Sequence, residues 1–134
     1  MALSQDTTLP ILEGDFADHP QETNTVVFEG AVISVTAGGF ARPAVGTDPF
    51  FAGIAAAPSN NNPGAAGDKK VKVRRNIHFR QVALSGAAQA DVGTALYASD
   101  DGTFTLVVTS NLLVGKVHAL VGTNTIIAKL EPTA

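Results

Sequence analysis

Four places in the chain carry side chains that could do chemistry: Ser99-Asp100-Asp101-Gly102, the stretch "GAAGDKK" at residues 64–70, the histidines, and the basic run from Lys69 to Arg80. A calcium loop needs oxygen ligands at alternating positions and a bidentate glutamate at its end. Two adjacent aspartates followed by Gly102, Thr103 and Phe104 lack that spacing. They suit a hairpin corner instead: aspartate tolerates turn geometry, Gly102 accepts positive φ, and flanking runs are rich in Thr, Leu, Val and aromatics. A phosphate loop of the G-x-x-x-x-G-K-[ST] type wraps phosphates in backbone amides and reaches magnesium with a hydroxyl. In "GAAGDKK" Asp68 precedes the lysines and Val71 follows them, so the stretch reads as a glycine turn feeding a strand. His19, His78 and His118 lack the H-x-x-x-H or H-x-H spacing that aims two imidazoles at one metal. There is no G-x-S-x-G elbow, and Ser85 in "ALSGA" lacks the flanking glycines of a strained nucleophile turn. The expectation is a protein that is not an enzyme and has no catalytic, metal or cofactor-binding residues.

The basic run "KKVKVRRNIHFR" carries more information. On a strand, Lys70, Lys72, Arg74, Asn76, His78 and Arg80 point one way, and Val71, Val73, Arg75, Ile77 and Phe79 the other. Such a face can be solvated, meet an acidic protein partner, or bind nucleic acid. The last is disfavoured, because single-strand binders combine a basic groove with stacking aromatics, whereas this chain has a pI near 5.4, one Tyr and no Trp. Phe50 and Phe51 are adjacent, so only one can face the core of a strand; the other is covered by a loop or belongs to an interface.

The elements that must hold these residues read as strands. From Thr25 onward, short β-branched or aromatic runs are punctuated by Gly, Asn, Asp and Pro at the spacing of sandwiches and barrels. Strands are expected at 25–29, 31–36, 50–56, 70–82, 94–98, 103–108, 113–121 and 124–130, with Phe104, Leu106 and Val108 on one face and Ile126, Ala128 and Leu130 on another. Little helix is expected, the best candidate for a turn lying within 82–90, and residues 57–68, "APSNNNPGAAGD", read as a loop. Residues 1–23 show neither strand nor helix periodicity and read as an extended arm, with Leu9, Pro10, Ile11 and Leu12 as an apolar anchor; residues 24–134 form the folded domain.

At 134 residues the chain suits one domain, and without cysteine it relies on packing rather than on disulfides or thiolate metal sites. No apolar run approaches the roughly 18–20 residues that span a bilayer, and the N-terminus lacks the basic and apolar regions of a secretion signal, so no membrane partner is expected and a cytosolic origin is. Charge is uneven along the chain. Six of the twelve acids precede Arg42, and six of the nine bases fall between Lys69 and Arg80, so the acidic segment and the basic run can attract one another.

The succession "VFEGAVISVTAGGFARPAVGTDPFFAGIAAAP", "GAAGDKKVKVR", "VGTALYASDDGTFTL" and "LVGKV" resembles the small capsid decoration, or head cement, proteins of tailed bacteriophages. The likeness covers roughly residues 25–130 and lies in the order of the motifs. It implies an all-β domain, a small β-barrel or β-tulip of about eight short strands with an extended N-terminal arm. It also implies a structural virion protein on the outer surface of an expanded head, made in the host cytoplasm, bound to the major capsid protein and to copies of itself as a homotrimer at threefold or quasi-threefold positions. The family offers no catalytic residues to transfer. Under this resemblance the arm residues Leu9, Pro10, Ile11, Leu12 and Phe16 are candidates for contact with the capsid or a neighbouring copy, and Phe50, Phe51, Lys70, Lys72 and Arg74 for a subunit interface. The alternative is a nucleic-acid-binding or recombination accessory protein that uses the basic 69–80 strand.

Overall fold

The computed structural model describes Gln5 and residues 15–134. In chain order the strands are β1 (Phe16–Pro20), β2 (Val26–Val27), β3 (Val32–Val35), β4 (Ala41–Pro43), β5 (Phe50–Ala55), β6 (Ser59–Asn60), β7 (Lys70–Arg74), β8 (His78–Ala83), β9 (Ala95–Ala98), β10 (Phe104–Thr105), β11 (Leu112–Gly122) and β12 (Thr125–Leu130), with one short 3-10 turn at Gln89–Asp91. The protein is all-β. No helix among the described residues is long and apolar enough to cross a membrane.

The strands form three antiparallel sheets. The first runs β1-β7-β5-β3-β4, the second β10-β9-β11-β12-β8, and β2 pairs with β6 as a small ribbon. The second sheet keeps open edges at β10 and β8; in the first, Gln21 just beyond β1 makes an isolated parallel bridge to Ala41 of β4, so its two edge strands touch at one point, and the described residues form no closed barrel. Burial divides the core in two. Val32, Phe51 and Ile54 of the first sheet pack against Val82, Leu96, Val114, Ile126 and Leu130 of the second. Ile33, Val35, Ala52, Val71 and Val73 pack on the opposite face of the first sheet, with Val27 of the ribbon. The first sheet is therefore a middle layer. All four residues of β3 are buried, as are five of the six in β5, which explains why "VISV" and "FAGIA" are almost continuously apolar. In the second sheet Ile126, Ala128 and Leu130 are buried while the residues between them are only partly covered, so the alternation expected of that strand holds.

A glycine bulge bends each large sheet. Opposite β3, the register of β5 shifts between Ile33 and Ser34, and Gly53 takes a φ of +135° there. Opposite β9, the register of β11 shifts between Leu113 and Gly115, and Gly115 takes a φ of +154°. A Cβ at Gly53 would lie 2.0 Å from the Arg74 carbonyl oxygen, and one at Gly115 would lie 1.9 Å from that of Lys129. Only glycine fits where backbones approach this closely.

Several expectations change. There are twelve strands rather than about eight, because short strands lie where the sequence shows no period: β1 within the expected arm, β4, and β6 within the expected 57–68 loop. That loop is tied down by polar side chains. Gln21 and Asn61 are buried; Gln21 Nε2 donates to the Thr25 and Ser59 carbonyls, and Asn61 Nδ2 to those of Glu22 and Ala65. The single strand expected over 70–82 is two strands in different sheets, interrupted at 75–77. The 103–108 run is strand only at Phe104–Thr105, and Val108 is exposed rather than sharing the cover of Phe104 and Leu106. Residues 99–102 form the expected turn: Ser99 N–H donates to the Thr103 carbonyl and Gly102 N–H to Asp100 Oδ1, at 2.8 Å.

Candidate functional site

The split of the basic run creates the most distinctive surface of the molecule. In β7 the odd positions Val71 and Val73 go into the core and the even positions face out. In β8 the phase is opposite: Val82 is buried, His78 and Arg80 are partly covered, and Phe79 is 56% exposed. The expected apolar face thus fails beyond Val73, because the chain leaves one sheet at Arg74 and enters the other at His78. Ile77, in the connection, is 58% exposed.

Asp15 to Gln21 lies along β7. Arg75 N–H donates to the Asp15 carbonyl, Gln21 N–H to that of Lys69, and the register sets Phe16 opposite Arg74 and Asp18 opposite Lys72. Residues 16–20 of the acidic N-terminal segment thus lie beside the basic run within one chain through backbone pairing, and no ion pair joins the two among the described residues. Cross-strand neighbours share a face, and Phe16 shows it: its ring carries Lys72 Nζ at 4.9 Å and the Arg74 guanidinium carbon at 5.0 Å from its centroid, within cation–π range. Phe16 remains 43% exposed. Leu9, Pro10, Ile11 and Leu12, the other expected arm contacts, lie outside the described residues.

Ile54 pairs with Arg74 in the neighbouring ladder, so Phe16, Arg74 and Ile54 lie on the face of the first sheet that turns toward the second. The second sheet ends at β8, and the first continues past it. Between them is a groove of about 370 Å³, lined by Phe16, Arg74 and Ile54 on one side, His78, Phe79 and Arg80 on the other, and Glu29 and Gly30 at one end. Arg80 spans it: one guanidinium N–H donates to the Gly30 carbonyl at 2.9 Å. The Phe79 ring also packs against His118 in a tilted arrangement, with centroids 4.7 Å apart. Among the described residues the ion pairs are Arg42–Asp48 and Lys129–Glu131, so Lys70, Lys72, Arg74 and Arg80 have no carboxylate partner there.

The remaining interface candidates lie apart. Phe51 is 1% exposed and fills the inter-sheet core, so it offers no surface to another subunit; Phe50 is exposed, at the opposite end of β5 from the groove. A second, apolar groove of about 340 Å³ lies between Ile77, Leu113 and Pro132. The sequence did not single out Phe79, Ile77 or Leu113 as surface groups. The available signal was the "RRN" break at 74–76, after which the inward parity changes.

Two further polar groups, Asp48 and His19, are buried or partly buried at the first sheet. Asp48 accepts from Arg42 Nε at 2.8 Å and also from Arg42 Nη2 and the Ser34 hydroxyl, pinning the β4–β5 loop to the sheet. Burial acts to raise the Asp48 pKa, but the bonds from Arg42 and Ser34 outweigh it, so the carboxyl is held below its ordinary value. His19 faces inward beside Val71 of the ladder, with Nε2 buried and unpartnered; burial lowers its pKa, partly opposed by Asp18. Among the described residues no three His, Asp or Glu side chains converge as metal ligands.

Comparison of the chain with family models, curated proteins and solved structures finds no match.

Proposed function

We propose that this protein is a capsid decoration protein: it binds the outer surface of an expanded phage head and strengthens the shell, as homotrimers at threefold or quasi-threefold positions. The supporting observation is the order of motifs from "VFEGAVISV" through "LVGKV", carried on successive strands of an all-β chain. On this reading the two large sheets are the β-tulip domain, and binding rests on surface groups such as Phe16, Phe50 and the Lys70–Arg74 face. Many copies, each weakly bound, give a shell cumulative strength.

The test is addition of purified protein to undecorated expanded heads. Saturable binding and a raised disruption temperature are expected; absence of binding at micromolar protein overturns the proposal. Removing residues 1–14, which keeps β1 in its sheet, should leave folding intact and weaken head binding at least tenfold if Leu9–Leu12 form the anchor. The basic groove with its exposed phenylalanines favours a second reading as a nucleic-acid binder. Affinity for DNA that falls by about one power of salt per phosphate contact would support it.

A further inference from the structure

The ladder between β8 and β12 has a definite phase. Leu84 N–H donates to the Asn124 carbonyl, and the register pairs Val82 with Ile126, Arg80 with Ala128 and His78 with Leu130. In an antiparallel pair, hydrogen-bonded and non-bonded positions alternate. Residues 78, 80 and 82 therefore bond to β12, while the N–H and C=O groups of Phe79, Gln81 and Ala83 point to the open edge. Among the described residues that edge ends the second sheet, beside the groove. A strand added there would lie over the part of the first sheet that extends past β8, where Phe16, Lys72 and Arg74 share a face.

We infer that the β8 edge accepts an extended, acidic segment of a partner protein as a sixth strand of the second sheet. Two independent features converge. Unpaired backbone groups of an edge strand supply affinity for any extended chain, and side-chain positions on alternate residues supply selectivity. Here the inward-facing side chains of the added strand would meet Arg74 and Arg80, neither of which has a carboxylate partner among the described residues, and the ring of Phe16, against which Lys72 also lies. Glu29 at the groove end, next to the Gly30 carbonyl that Arg80 holds, and Asp18, opposite Lys72 in the β1–β7 ladder, both oppose a carboxylate nearby, which places the acidic positions of the guest toward Arg74. The inference rests on the reading of this protein as a protein binder, and it specifies the chemistry of the partner segment without requiring that the partner be a capsid protein.

The probe is a blocked octapeptide of alternating valine and glutamate, with a valine–lysine octapeptide and octathymidylate as comparisons, titrated against the full chain. The acidic peptide is expected to bind at least tenfold more tightly than the basic one. On binding, hydrogen exchange should slow at the amides of Phe79, Gln81 and Ala83, while those of Arg80 and Val82 are already protected. Gln81→Pro removes an outward N–H from an edge strand, a position where proline is tolerated. It should abolish binding at unchanged melting temperature, whereas Gln81→Ala should not; Arg74→Glu should weaken binding at least tenfold and leave the exchange pattern of the free protein unchanged. If Gln81→Pro lowers the melting temperature, the exchange pattern in the unaltered chain decides. Equal binding of both peptides, tighter binding of octathymidylate, or no new protection at 79, 81 and 83 overturns the inference. Peptide binding without head binding would keep it and reject the capsid reading; head binding without peptide binding would do the reverse.

Discussion

The two large sheets are built under different constraints. At β3 and β5 the first is a middle layer, covered by the second sheet on one face and by the Val27 cluster on the other, so those two strands have almost no exposed positions, although Phe16 and Asp18 of β1 and Lys70 and Lys72 of β7 remain exposed. The second has a solvent face, on which Phe79, Leu113 and Lys116 stand exposed. A layer enclosed on both sides cannot relax outward, while one with a free face can. The same local device, a bulge glycine or a turn aspartate, should therefore matter more in the first sheet than in the second.

The bulge glycines give the sharpest contrast and the largest expected effect. Gly53→Ala sets a Cβ against the Arg74 carbonyl in a strand held from both faces. The loss should be about 4 kcal/mol, at the upper end for single substitutions, enough to leave little folded protein. Gly115→Ala makes a comparable contact with the Lys129 carbonyl, but β11 can bow toward solvent, and the loss should be nearer 2 kcal/mol. Urea unfolding midpoints measure both. Equal losses would mean that the free face gives no relief, and the distinction between the sheets would fail.

Asp48 and Asp100 repeat the comparison with carboxylates. Asp48 is buried in the loop between β4 and β5 of the first sheet and holds Arg42 and Ser34. Asp48→Ala strands both partners and should cost about 2 kcal/mol. The pH dependence has a definite sign. With a folded pKa below the ordinary carboxylate value near 4, the unfolded chain takes up a proton first as pH falls. The contribution is full above about pH 4 and disappears as pH drops through the folded value. Asp48→Ala should therefore lower stability at pH 7 and flatten its fall as the pH drops below about 4, as read from melting temperatures at successively lower pH.

The contrast between sheets also governs what could be read in the chain. The second sheet was legible, because Ile126, Ala128 and Leu130 alternate with partly exposed residues. In the first sheet β3 and β5 were legible as apolar runs, but β1 was not: Phe16-Ala17-Asp18-His19-Pro20 has only Ala17 and His19 on its inner face, and its pairing depends on β7, fifty residues away. The groove was half legible. Lys70, Lys72 and Arg74 were placed on one face by parity alone, and Phe16 was singled out, but no periodicity places those two segments side by side. Parity also misassigned Phe79, because alternation carries no information about a change of sheet at residues 75–77. The buried bonds of Gln21 and Asn61, which turn an apparent loop into β6, depend on backbone carbonyls that composition does not reveal.

Asp100 supplies the smallest effect and the cleanest control. It sits at the exposed corner between β9 and β10, where the hydrogen bond from Gly102 N–H lowers its pKa, with slight burial opposing and Thr103 adding to the lowering. Asp100→Ala removes one solvent-exposed turn bond and should cost about 0.5 kcal/mol, with Asp100→Asn closer to the unaltered protein because its side-chain oxygen still accepts. The turn has a second tether, from Val32 N–H to the Asp101 carbonyl at 2.9 Å, and that bond joins this corner of the second sheet to β3 of the first. If Asp100→Ala instead costs as much as Asp48→Ala, the corner is held as rigidly as the middle layer. In that case the Asp101–Val32 bond, rather than burial on two faces, sets how much a local change is felt.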